Sequence, residues 1–418
     1  MIVPVLSALT LWLPQPAVNP APQGAPSGEA LTVYLLTFDP GELAWERFGH
    51  NALWIRDKTT GTDLAFDYGR FSFGRTTADK LRFLGQFAQG LLNYSMGDGP
   101  TETYLDRYAR MGRSIWVQEF DLSPIQRVAI RDFLYWNRTE EHKYYQYNYY
   151  LDNCSTRIRD VLDRVVGGQI KQWADTLKTP WTYRDHTRRT TEASPVLYTL
   201  LNIGLGQPTD HRLSAWEEMF LPISLRPYLN SISITDSGGR VHRLVKEEKH
   251  LVESDRFLVA SEPPNWTGRY FAIGGLVGGL LMWLGWLGST GARWRLAFAM
   301  VGGLWSIAAG LSGLALTGLW GFTNHIFSYS NENLFQLNLA SLAVAAAIPK
   351  GLFSAEPARW AVLMFVASLV AVSALLGLFL KMLPAFDQAN LDLIALFLPI
   401  HLGLVAGLWR CRPAATGR

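Results

Sequence analysis

The sequence predicts an α+β domain on the outer side of a membrane, followed by an all-α bundle of about five transmembrane helices. Three observations carry this. Strand-like runs crowd the stretch up to Tyr68 and amphipathic helical stretches follow them. From Gly268 onward five apolar segments, roughly 270–287, 295–320, 334–349, 359–380 and 390–409, approach the twenty or so residues that cross about 30 Å of hydrocarbon. Charge divides the same way. Met1–Thr267 holds 29 Lys and Arg against 31 Asp and Glu, and Gly268–Arg418 holds 9 against 4, so the net +3 is −2 and +5. The basic excess belongs to the apolar part, and no Lys/Arg stripe of the kind a nucleic acid requires is visible.

The chain divides into a signal peptide or N-terminal anchor with a flexible linker (1–29), an exported domain (30–230), a connecting segment (231–268), a five-helix transmembrane domain (269–410) and a cytoplasmic tail (411–418). Ile2–Leu13 is apolar but short for a span, and the Pro-rich, small residues Pro14–Ser27 follow it, as at a signal peptide's end; no cationic n-region precedes it. Leu31–Phe38 reads as a strand, Phe48–Asp57 as a second, and Leu64–Tyr68 as a third returning after a turn at Gly61. Lys80–Leu91 and Ser123–Asn137 read as amphipathic helices, the latter with a Ser-Pro start. Ile158, Val161, Leu162 and Val165 recur at helical spacing behind Asn153, a suitable N-cap. Lys178–Ser194 is polar and rich in Arg, and Leu213–Leu229 reads as a helix that lies on the membrane or packs into the domain.

The third apolar segment is short and carries Gln336 and Asn338, so completing the span requires the residues before it. Arg293 and Arg295 follow the first span, Lys350 and Arg359 the third, and Arg410, Arg412 and Arg418 the fifth; the second is followed by none and the fourth by Lys381 alone. The positive-inside rule then puts the C-terminus in the cytoplasm and everything before Gly268 outside.

Cys154 is the only cysteine before Cys411, so an exported domain cannot use it in an internal disulfide. It stands in Asp152-Asn153-Cys154-Ser155-Thr156, where a Tyr-rich stretch meets a helix, so its sulfur sits in a first turn whose dipole and free N–H groups favour a thiolate. The bland reading is a small buried apolar residue. A thiol nucleophile needs a base titrating near neutrality and a group to orient it. His50 lies inside an apolar strand behind Gly49 and fits the base; Asp67, on the neighbouring strand, can hold its second nitrogen, with Asn51 and Tyr68 also in reach. His142, His186, His211, His242 and His250 lie in polar surroundings and read as surface residues. Cys411, among arginines, reads as bland or as a palmitoylation site. No metal spacing, phosphate loop or Gly-x-Ser-x-Gly elbow appears, so neither a cofactor nor a metal is expected.

At these residues the sequence resembles the circularly permuted branch of the papain-like NlpC superfamily, in which a strand His precedes a helix-opening Cys. More closely, Arg47-Phe48-Gly49-His50-Asn51-Ala52, Asp67-Tyr68-Gly69-Arg70-Phe71 and Asn153-Cys154-Ser155-Thr156-Arg157-Ile158-Arg159-Asp160 resemble the exported domain of the Lnb family of bacterial lipoprotein N-acyltransferases, as do Thr323, His325, Asn331, Asn333 and Leu334 in the membrane part. The resemblance implies a permuted papain-like exported domain, a Cys154 nucleophile, a His50 base, and a cytoplasmic-membrane enzyme whose N-terminal domain faces the periplasm.

Gly321–Asn333 falls on the outer face, so His325, Tyr329, Asn331 and Asn333 are expected at head-group level, ready to bind a phospholipid head group or the acceptor amine, and Arg157 to pair with a phosphate. His401, inside the fifth span after Pro399, is either functional or bridges a carbonyl freed by the proline. The expected reaction is transfer of a fatty acyl group from a membrane phospholipid to the N-terminal amine of a lipoprotein through a Cys154 thioester. Two rivals stay open: a tethered cysteine peptidase or amidase of cell-wall peptides, and a non-catalytic membrane assembly protein.

Overall fold

The computed structural model describes residues 28–412. The leader reading for 1–29 and the tail reading for 411–418 fall outside the described residues except at Gly28, Glu29, Cys411 and Arg412. The first three strands form where the sequence predicts them, as β1 (Leu31–Phe38), β2 (His50–Asp57) and β3 (Thr62–Arg70). They are joined by β4 (Asn93–Pro100), β5 (Ile115–Phe120) and β6 (Tyr144–Gln146); a small hairpin of β7 (Ser233–Thr235) and β8 (Val241–Arg243) precedes β9 (Val245–Val252). Seven of these make one antiparallel sheet in the order β6-β4-β3-β2-β1-β5-β9.

Both faces of this sheet are covered, which explains the nearly continuous apolar character of β1 and β2. On one face Leu31, Val33, Leu35, Leu53, Ile55 and Phe66 pack against α3 (Pro124–Asn137) and α4 (Cys154–Val165). On the other, Leu36, Phe38, Ala52, Trp54 and Ala65 meet Tyr104 and Tyr108 of α2 (Thr101–Arg110). α4 buries Ile158, Val161 and Leu162, each contributing about 1.5–3 kcal/mol through removal from water. α1 (Thr77–Gln89) forms as expected but lies outside both layers.

Two expectations need correction. The stretch 231–268 is not merely connecting, because β9 pairs with β5 and extends the domain's sheet to Val252. Its sequence, Val-Lys-Glu-Glu-Lys-His-Leu-Val, hides this: an edge strand carries charge to deter pairing with other chains, so the apolar alternation is lost. His186 is not a surface residue; it is fully buried in α6 (Tyr183–Thr191), with Nε2 3.0 Å from Glu218. Polar composition misled because the partner lies 32 residues away, on α8 (Ala215–Glu218). That helix and α9 (Pro222–Ser231) bury Ala215, Met219, Leu225 and Leu229, so 213–229 packs into the domain.

Among the described residues, five helical segments are long and apolar enough to cross a membrane, at Thr267–Gly288, Ala292–Phe322, Glu332–Phe353, Pro357–Met382 and Leu391–Arg410. The third is broken: a 3₁₀ turn at Glu332–Phe335 leads into a regular helix only from Ala340, so the span does use residues ahead of its apolar core. His401, nearly sealed at 2% exposure, approaches the Gln336 carbonyl of that break at 2.8 Å, so it serves an irregular backbone in a neighbouring helix. The first and fifth helices touch backbone to backbone: a Cβ added at Gly403 would lie 2.1 Å from the Gly278 carbonyl. Cys411 is buried beside Gly288 at the bundle's end, which leaves the bland reading.

The domain and the bundle are joined by buried polar contacts at the end of α7 (Pro195–Gly204). The carbonyls there lack helical partners and must be met from elsewhere. Asn331 donates to Ile203 and Gly204, Asn333 to Asn202 and Ile203, and Gln388 to Leu205. From below, fully buried Arg184 reaches Asn202, Leu205 and Gly206 while pairing bidentately with Asp210 at 2.7 and 2.9 Å. Arg188 adds an ion pair to Asp392 at 3.1 Å.

Candidate active site

The helix that opens with Cys154 is fixed by its cap. Asn153 Oδ1 accepts the N–H groups of Ser155 and Thr156, while its amide donates to the carbonyls of Tyr149 and Phe220. Thr156 Oγ1 accepts the Asn153 N–H, closing the capping box. Cys154 is thereby held in the first turn as a half-buried residue.

His50 opens β2 directly after Gly49, which adopts φ +80 where a side chain would be strained. Alternation then separates neighbours. His50 shares the face of Ala52 and Trp54, where its ring lies against Phe38 and Tyr108. Asn51 points oppositely, fully buried, and donates to Leu36 O and Thr37 Oγ1. Asp67 is registered against Ala52, on the His50 face, so the two side chains meet diagonally with His50 Nε2 3.0 Å from Asp67 Oδ2. Tyr68 points away and donates to Asn137. Of the three groups in reach of the imidazole by sequence, Asp67 is the one that holds it.

With Nε2 engaged by Asp67, Nδ1 is the ring nitrogen left for the sulfur. Burial raises the thiol's pKa, but the charge of His50 and the Asn51 N–H outweigh it and bring Cys154 below the usual 9.0. Burial likewise opposes an imidazolium, and negative charge at Tyr108 and Cys154 with the hydrogen bond to Asp67 overcomes it, holding His50 well above 6.5. Asp67 itself stays below the ordinary carboxylate value despite burial, because His50 and Arg70 favour its charge. The arrangement stabilises a thiolate and imidazolium pair, the state a nucleophilic cysteine needs.

Sequence reasoning missed the groups behind Asp67. Tyr104 donates to Asp67 Oδ1 at 2.8 Å and Arg70 at 2.7 Å, and Arg70 also meets the Tyr104 hydroxyl. Arg70 lies inside the Asp-Tyr-Gly-Arg-Phe run, but nothing in the sequence marks Tyr104, which arrives from α2. Tyr108 of the same helix stacks on Phe38 with ring centroids 3.7 Å apart, and the His50 ring lies 6.1 Å from it.

The membrane-loop residues separate into two sets. His325 Nε2 is 2.7 Å from the Phe87 carbonyl, and its ring lies 6.4 Å from that of Tyr149, five residues ahead of Cys154. Tyr329 donates to Thr323 O at 2.5 Å and stays partly exposed. His325 thus lies against the loop that leads to Cys154, and Tyr329 closes the turn that carries His325. Asn331 and Asn333 are 2% and 0% exposed with their amides committed to α7, and Asn390 donates to Asn333 Oδ1, so they fasten the joint instead of facing a substrate. Arg157 is also committed, to Asp152 at 2.5 and 2.7 Å and to the Tyr145 ring at 3.9 Å, so it is not a free phosphate ligand.

Residues 20–189 match the family model of the Lnb N-terminal periplasmic domain, a stretch that contains His50, Asp67 and Cys154. No curated protein and no solved structure matches the chain. The match ends within α6, so it takes in Arg184 and Arg188 of the joint, while α7 and the edge strand β9 lie beyond it. The N-terminal part of the chain is thus similar to the Lnb N-terminal periplasmic domain, and with five helices among the described residues long and apolar enough to span a membrane behind it, the chain is a multi-pass membrane protein with a periplasmic N-terminal domain.

Proposed function

We propose that the protein is a cysteine-dependent lipoprotein N-acyltransferase of the cytoplasmic membrane, its C-terminus cytoplasmic by the positive-inside distribution of its arginines. The observation that carries this reading is the Cys154, His50 and Asp67 set standing over a bundle of five spans, with the loop ahead of Cys154 resting on the bundle's outer turn. The Cys154 thiolate attacks the carbonyl carbon of a phospholipid acyl ester; the tetrahedral adduct expels the glycerol oxygen, which takes a proton from His50, and an acyl thioester remains. Asn153 engages the Ser155 and Thr156 N–H groups, which leaves the Cys154 N–H as the donor for the oxyanion.

The free amine of a lipoprotein's N-terminal residue then attacks the thioester, His50 accepts the amine proton, and the amide forms as the thiolate leaves. Asp67 keeps Nε2 engaged throughout, so Nδ1 handles both protons. A thioester at the membrane surface is shielded from hydrolysis, which would otherwise compete with the amine. Mass spectrometry of a reporter lipoprotein's N-terminal peptide, in cells lacking their own N-acyltransferase, tests this. Wild type should yield the triacylated peptide and Cys154→Ser, at equal abundance, none; N-acylation retained in that variant would overturn the mechanism.

A further inference from the structure

α1 packs on the domain through Phe83 and turns most of its surface outward. None of its thirteen residues is buried, and Leu81, Leu84 and Phe87, at i, i+3 and i+6, are 64%, 56% and 51% exposed. A helix this short is marginal in water unless an apolar face is packed. Leu43, Trp45 and Phe73 are also exposed, and Trp45 sits edge-on to Phe73, which in turn sits edge-on to Phe83 of α1. An apolar patch on this scale marks an interaction surface.

Its position says what covers it. The Asn324 N–H, in the turn leaving the second membrane helix, donates to Gln89 O at 2.8 Å, and His325 reaches Phe87 O from the same turn. Phe322, the last residue of that membrane helix, is itself 84% exposed. The patch therefore continues the lipid-facing surface of the bundle at the level where a spanning helix ends. On α1 and the turn before it Arg75, Lys80 and Arg82 stand against one acid, Asp79, a local balance suited to anionic head groups, while Glu42 and Glu46 flank the Leu43 and Trp45 end.

The patch also leads inward. Phe83 stacks on Phe71 with ring centroids 5.8 Å apart, Phe71 on Tyr94 at 5.0 Å, and Tyr94 on Tyr147 at 4.3 Å. Tyr147 is near enough to Cys154 that negative charge on the sulfur adds to burial in raising its phenol pKa. Ring faces thus run from α1 to the nucleophile.

We infer that α1 is an interfacial helix bedded in the outer leaflet, and that Phe83, Phe71, Tyr94 and Tyr147 form the path along which an acyl chain of a bilayer phospholipid reaches the Cys154 sulfur. The path rests on the acyl-transfer reading above; the contact of α1 with lipid does not.

The test uses full-length Cys154→Ser protein in nanodiscs of phosphatidylethanolamine and phosphatidylglycerol, doped with a phospholipid bearing a diazirine at the end of one acyl chain. After irradiation, adducts are mapped by peptide mass spectrometry. The inference expects adducts in α1 and in the Tyr94 and Tyr147 segments as well as in the spanning helices; labelling confined to the spanning helices overturns it. Replacing Leu81 and Leu84 together by Asp, at sites more than half exposed, should lower the α1 and path adducts about tenfold or more by removing two apolar side chains from lipid. Spanning-helix adducts should stay constant, and Leu84→Trp should keep the wild-type pattern; undiminished α1 adducts in the double variant overturn the inference. Because mapping requires no turnover, adducts without N-acylation by the wild type would fail the functional reading alone, whereas N-acylation without adducts would fail this one.

Discussion

Ser155 Oγ donates a 2.6 Å hydrogen bond to Asn51 Oδ1, joining the residue after the candidate nucleophile to the residue after the candidate base. Both side chains are fully buried, and the Asn51 amide continues to Thr37 on β1. The spacing of sulfur and imidazole is therefore set on the sheet face opposite to the chemistry. Asn51→Ala strands the Ser155 and Thr37 hydroxyls in a dry layer, and a loss of about 1–3 kcal/mol is expected for such unpaired groups. Thermal unfolding in detergent should register this as a lower midpoint, and alkylation of Cys154 by iodoacetamide should slow in parallel. An unchanged alkylation rate would show that the bond does not govern the spacing.

The ionisation of the pair fixes the sign of its pH response. Cys154 is held below 9.0, so its thiolate persists as pH falls and is lost only below that lowered value. His50 is held above 6.5, so its imidazolium persists as pH rises and is lost above that raised value. Acyl transfer should trace a bell whose acid limb belongs to the thiol and whose basic limb belongs to the imidazole. In His50→Ala the alkylation profile of Cys154 should move toward higher pH, because the largest influence favouring the thiolate is gone.

Asp67→Asn retains the shape but removes the charge that favours the imidazolium. A decrease in kcat of about 10²- to 10⁴-fold is expected where general acid and base action is lost, with little change in KM. Tyr104→Phe removes one hydrogen bond to the same carboxylate and should cost only about tenfold or less. A Tyr104 effect as large as that of Asp67 would mean the hydroxyl acts directly.

At the joint, Arg184→Met leaves Asp210 without its buried cation and takes one donor from each of the Asn202, Leu205 and Gly206 carbonyls, which keep their bonds from Asn333, Gln388 and Thr209. Breaking one side of a buried ion pair typically costs about 3–5 kcal/mol. The expected sign is a lower unfolding midpoint and protease cleavage between residues 205 and 212, with the Cys154 alkylation rate of the intact fraction unchanged.

The strand that carries His50, the helix that carries Cys154 and the apolar spans were legible because each has a local signature: an apolar run, an N-cap followed by helical spacing, and length. Asp67 was legible for a similar reason, since a hairpin register brings it diagonally to His50. Tyr104 was not, because a helix arriving from 37 residues away leaves no mark of its target. The burial of Arg184 and His186 was hidden for the converse reason: composition counts a charged side chain as solvated, and only the fold supplies the partner that makes burial tolerable. Asn331 and Asn333 were noticed for being polar at a membrane face, yet the same polarity is what an uncapped helix end nearby requires.

The fastening at α7 has one more consequence. A reactive centre riveted to its base through buried amides and a guanidinium cannot pivot toward cargo of varied stature, so its elevation above the bilayer behaves as a fixed gauge. On the acyl-transfer reading proposed above, molecules whose scissile or accepting bond rides at another depth would be excluded by altitude alone, before any contact with the centre.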